Sequence, residues 1–211
     1  QHSYLTWPYQ IFDKDQINNY SYPGCANDTI ALKLVRHTTK EQKAMIMFTF
    51  PERLHYIRKG CNFAITQNGT QSISDNGSEN WIAKQIAEAD HTKNKNYMLD
   101  NFDDNFLEII YLRNILYCQN FCESNHIEYY FTLGTARSKT KMQGSLEKYR
   151  DSIRKHINWK NIFLVDGKYG FEEYALKTNA KKGSDNSHFG LEYNRLFGKL
   201  FLDWILEKKQ V

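Results

Sequence analysis

The sequence predicts an α/β fold in which a central parallel sheet is flanked by helices, a three-layer sandwich. Two observations carry that expectation. Residues 43–50 (KAMIMFTF) and 127–133 (IEYYFTL) are short, largely apolar runs, as suits parallel strands covered on both faces. Between and after them apolar residues fall at helical spacing, and strands alternating with helices build a parallel sheet with helices on both sides. The two runs should therefore be neighbouring, parallel, central strands, with helix 102–124 packed on one sheet face.

Each element has its own local signal. Residues 4–12 are apolar at helical spacing, with Trp7-Pro8 near the start, where proline is tolerated in a first turn. Residues 16–22 read as a short extended piece that stops at the turn Pro23-Gly24. Asn27-Asp28-Thr29 supplies capping side chains for a helix filled by Ile30, Leu32, Leu34 and Val35 and ending near His37. Pro51 ends the first strand. Residues 61–80, rich in Asn, Gly, Ser and Thr, read as a loop or short hairpin. Residues 101–124 form a long amphipathic helix with Phe102, Phe106, Ile109, Ile110, Leu116 and Phe121 among its apolar positions. Gly134 closes the strand that follows. Residues 145–156 read as a helix, 162–165 as a short strand or turn, and 189–206 as a strong closing helix. No repeat or linker divides the chain, so a single domain over residues 1–211 is expected.

Composition narrows the function classes. Fourteen Tyr, thirteen Phe and four Trp supply a substantial core, and only three prolines are present, unlike a disordered chain. The net charge of +4 is a mild excess with dispersed basic residues, which argues against nucleic acid as a partner. No stretch approaches the ~20 apolar residues that span a bilayer, and residues 1–10 lack the pattern of a signal peptide. A cytoplasmic or virion-associated setting is expected, with Cys25, Cys61, Cys118 and Cys122 as free thiols.

The segment 183–190 (GSDNSHFG) stands immediately before the closing helix and is the most informative in the chain. An Asp three residues ahead of a His can hold one ring nitrogen, fix the tautomer, and leave the other nitrogen to take a proton. The plainer reading of Asp185 and His188 is a polar helix cap. Upstream, Gly24 lacks a Cβ, so its N–H can approach a developing oxyanion, and Asn27 offers an amide donor beside a helix N-terminus. Their plainer readings are a turn and an N-cap. Cys118, Cys122 and His126 recur every four residues, a spacing that stacks possible metal ligands on one helical face. Buried thiols are the commoner meaning, and neither a metal nor a cofactor is expected.

In this order the blocks resemble the SGNH (GDSL-type) hydrolases, whose fold is flavodoxin-like. The Asp185-x-x-His188 loop before the last helix is similar to that family's final block. Residues 19–30 (NYSYPGCANDTI) resemble its second block, where a strand ends in Gly and a helix opens. Trp7-Pro8-Tyr9 and the 43–50 strand followed by Pro51-Glu52-Arg53 resemble a subgroup of short SGNH-like proteins seen in phages. The resemblance spans nearly the whole chain but has two gaps. The Gly-Asp-Ser-type nucleophile block is absent, and Thr49-Phe50-Pro51-Glu52-Arg53 stands where a Gly-x-Asn-Asp block is usual. Ser3 has none of the family's neighbours.

The resemblance implies a serine esterase or deacylase acting on a carbohydrate or lipid ester by acyl transfer. His188 would be the base, Asp185 its orienting partner, and Gly24 and Asn27 the oxyanion donors. The first strand and the serine would lie upstream of Gln1. The alternative is a non-catalytic binding or structural protein on the same fold, such as a virion component.

Overall fold

The computed structural model describes residues 18, 20, 26–51, 53–58, 61–66, 69–73, 81–101, 104–136, 145–184 and 188–210. The expected elements at 4–12 and most of 16–22 lie outside these residues. Within them the chain is a mixed α/β protein with six α-helices and a three-stranded parallel sheet. Strand β1 (Lys43–Phe48), β5 (Glu128–Leu133) and β6 (Ile162–Phe163) make that sheet, in the order β1-β5-β6. The expected parallel neighbours are thus β1 and β5. Among the described strands β5 is the central one, and β1 lies at an edge.

By its contacts the chain forms two compact units, and the division falls within β5. One unit holds 26–129 and 145–159. Helix α1 (Asn27–His37) precedes β1, as the sequence predicts, but its cap residue is Ala26, which makes no side-chain cap bond. The expected capping by 27–29 is corrected, because Asn27 is already helical and turns its amide elsewhere.

After β1 the chain builds an antiparallel meander of β2 (Leu54–Arg58), β3 (Cys61–Thr66) and β4 (Gly69–Ile73), with Leu54 opposite Ile65 and Thr66 opposite Gly69. The predicted short hairpin is the second half of this meander; β2 was not expected. Helix α2 (Trp81–Asn101) packs on β3 and β4 and was also not expected. Its lysines, asparagines and acidic residues leave little apolar periodicity to read. Leu54 and Ile65 bury themselves against Leu107 and Ile110 of helix α3 (Asp104–Ser124), which ties the meander to the helix.

Helix α3 also presents Tyr111 edge-on to Phe48 of β1, with ring centroids 6.3 Å apart, so it packs against that strand. Its end is a Schellman turn. His126 takes φ 56°, Ile127 N–H donates to Cys122 O, and His126 N–H donates to Glu123 O. Gln119 then fastens helix α4 (Ser145–His156), donating to His156 O at 3.0 Å and accepting from Asn158 N at 2.7 Å.

The other unit holds 130–136 and 160–210. Here β5 and β6 pair in parallel, with Phe131 opposite Ile162 and Thr132 opposite Phe163. Helix α5 (Phe171–Lys177), too short to show periodicity, was missed in the sequence; α6 (Leu191–Lys208) is the predicted closing helix. One row of α6 is aromatic: Tyr193, Phe197, Phe201 and Trp204 succeed one another at spacings of three or four. Phe163 of β6 lies 5.4–5.6 Å from the rings of Phe197, Phe201 and Trp204, and Tyr130 of β5 lies 5.9 Å from Trp204. These contacts seat α6 on β5 and β6.

Candidate catalytic site

In parallel α/β sheets ligands gather at the carboxyl ends of the strands. At the carboxyl end of β1 stands Asn27, only 2% exposed. Its Oδ1 accepts from Thr49 N at 2.9 Å and its Nδ2 donates to Phe50 O at 3.1 Å. The side chain therefore bonds the start of α1 to the two residues that follow β1, and one of its N–H groups is spent on Phe50. Beside it Asp28, in the first helical turn where the dipole favours a carboxylate, accepts from Asn114 at 2.8 Å. The Thr29 hydroxyl is buried without a hydrogen-bond partner. Arg53 closes the next turn with its N–H on Phe50 O and lays its guanidinium 5.5 Å from the centroid of the Phe50 ring.

Replacing Asn27 by Ala would remove the partner of Thr49 N–H and leave Phe50 O with the Arg53 N–H. Loss of two partly buried hydrogen bonds should cost about 2 kcal/mol. Urea denaturation should show a lower midpoint at unchanged slope.

The carboxyl end of β5 holds a cluster that the sequence analysis does not single out. Glu173 of α5 is buried, and its carboxylate gathers donors from two chain segments. Oε1 accepts the Thr135 hydroxyl and Ala136 N, the latter at 2.9 Å, while Oε2 accepts Gly170 N at 2.9 Å. Glu172 N–H adds a bond to Gly134 O at 2.9 Å. A Cβ on Gly170 would stand 2.8 Å from Leu133 O and 2.9 Å from Ala136 N, so glycine is required there by space. The available signal was Gly170-x-x-Glu173 at a helix start, a relative of the capping box.

His188 lies on the segment entering α6, and its side chain is exposed. Gly183 N–H donates to His188 O at 2.8 Å and Gly190 N–H to Lys181 O at 2.9 Å, which closes 181–183 against 188–190 as a short antiparallel pair. Of the other expected site residues, Asp185 and Gly24 lie outside the described residues. Asn27 and His188 belong to different compact units.

The thiols of Cys118 and Cys122 are free and buried. Burial raises the Cys118 pKa, with Cys122 adding to the effect, and pushes Cys122 up to about 12, with Glu123 adding to it. Both are protonated near neutrality and poor as nucleophiles or metal ligands. His126, which extends their four-residue spacing, is an exposed residue of the left-handed turn beyond the helix, so the spacing does not continue onto one helical face. Among the described residues no group of three or more His, Cys, Asp or Glu is arranged to hold a metal ion, and no helix is long and apolar enough to cross a membrane.

Comparison with protein-family models, with curated proteins and with solved structures finds no match to this chain.

Proposed function

We propose that this chain belongs to an SGNH-type ester hydrolase or deacylase that acts on a carbohydrate or lipid ester. In this reading His188 is the general base, Asp185 holds its second ring nitrogen, and Gly24 and Asn27 face the oxyanion. A serine on residues preceding Gln1 supplies the nucleophile. The base draws the serine proton as the hydroxyl oxygen attacks the ester carbonyl, then returns it to the leaving alcohol; water repeats the cycle on the acyl-enzyme. The observation that carries the reading is the segment 183–190, which sets an exposed histidine, three residues after an aspartate, at the entrance to the last helix of an α/β chain. The parallel β1-β5-β6 sheet agrees with it at the level of fold class.

One observation favours the rival, a non-catalytic binding protein on the same fold: residues 1–211 contain no Gly-x-Ser triplet. Hydrolysis of p-nitrophenyl acetate separates the two. Residues 1–211 alone should turn it over no faster than their His188→Ala variant, whereas a longer form carrying an upstream Gly-x-Ser segment should be active. Turnover by residues 1–211 that depends on both His188 and Ser3 would make Ser3 the nucleophile. Inactivity of the longer form across a broad ester panel would favour the binding protein.

A further inference from the structure

The short antiparallel pair ahead of α6 has two faces with different contents, and the pairing decides which residues share a face. Bonds from Gly183 N to His188 O and from Gly190 N to Lys181 O bracket Lys182 and Phe189 as a non-hydrogen-bonded pair. In such pairs the side chains stand close together on one face. Lys182 Nζ accordingly lies 3.8 Å from the centroid of the Phe189 ring. That ring is also held edge-on by Phe171 of α5 at 5.9 Å and by the tilted ring of Tyr193 of α6 at 5.3 Å. The Phe189 carbonyl accepts from Asn194 Nδ2 at 3.0 Å, which ties the backbone at this point to the first turn of α6.

Anchoring Phe189 against Phe171 and Tyr193 therefore holds the backbone at His188, whose carbonyl accepts from Gly183 N–H at 2.8 Å and whose side chain is exposed. The residue opposite His188 in this register is Gly183, which has no side chain to crowd the imidazole.

We infer that Phe189, clamped by Lys182, Phe171 and Tyr193, is a positioning residue for His188: it sets which way the imidazole faces. The inference rests on the ester-hydrolase reading for its catalytic meaning, but the geometry it asserts can be measured without turnover. The ring signals of His188 are followed by NMR in the 211-residue chain, in Phe189→Ala and in Phe189→Tyr, with circular dichroism as the check on folding. Phe189→Leu replaces Phe189→Ala if the alanine variant does not fold. The expected result is that His188 signals collapse toward those of an unstructured histidine in the truncated variant and return in Phe189→Tyr. In a serine-bearing longer form, the truncated variant should lose about 100-fold in kcat with KM little changed, because a misplaced base costs the chemical step and not binding. His188 signals that superimpose on those of the unaltered chain would overturn the inference. If the longer form is inactive before any substitution, the ester-hydrolase reading falls, and the ring signals alone decide the positioning.

Discussion

On the ester-hydrolase reading proposed above, His188→Ala in a form extended upstream with a Gly-x-Ser segment should lower kcat for an activated acetyl ester by about four orders of magnitude. Without the imidazole the serine hydroxyl keeps its proton at neutral pH, and the covalent route closes. What remains is the rate supplied by binding and by oxyanion donors. Asp185→Asn should cost about as much or less, because it disturbs the tautomer and orientation of the ring but leaves the base in place. The measurement is steady-state kinetics on each single variant and on the double variant. Groups that act as one unit are not additive, so the double variant should lose scarcely more than His188→Ala. Additive losses would mean that Asp185 works on something other than His188.

Gly170→Ala should be the most damaging single methyl addition around Glu173, at about 3 kcal/mol. The new Cβ would meet Leu133 O at 2.8 Å and Ala136 N at 2.9 Å, both backbone atoms at the end of β5, and Glu173 Oε2 at 2.7 Å. The side-chain oxygen can swing away, but the backbone atoms cannot move without disturbing the loop that Glu173 braces. Glu173→Ala should destabilise through the same contacts, since it strands the Thr135 hydroxyl, Ala136 N–H and Gly170 N–H together. Chemical denaturation of both singles and the double gives the coupling: the double should fall short of the sum. A Gly170→Ala protein as stable as the unaltered one would show that the β5 loop adjusts freely.

Much of the fold was legible because its signals are local. The run 43–48 needs no partner to be recognised as a strand, although it is buried on alternate residues only, and 191–208 announces its buried face through its own periodicity. The site was legible only in outline. The 183–190 segment could be read for chemistry from its residue types, yet nothing in those letters says that Lys182 and Phe189 share one face. Asn27 shows the converse case. Its position before an apolar helix gave it a capping role, but its amide bonds residues 22 and 23 positions further along the chain.

By itself, then, the sequence determined the α/β class, the parallel pair of β1 and β5, the closing helix and the Asp-x-x-His segment ahead of it. These follow from apolar run length, helical period and residue type, all of which act over a few neighbouring positions. Only the tertiary structure decided the three-stranded meander, helix α2, the spatial need for glycine at 170 and the donors gathered by Glu173. Leu54 and Ile65 make a sheet face by meeting Leu107, more than forty positions away, and Glu173 finds Thr135 and Ala136 across a gap of 38 and 37 positions. Which polar or apolar group answers another over such distances depends on register and packing, and no local pattern encodes it.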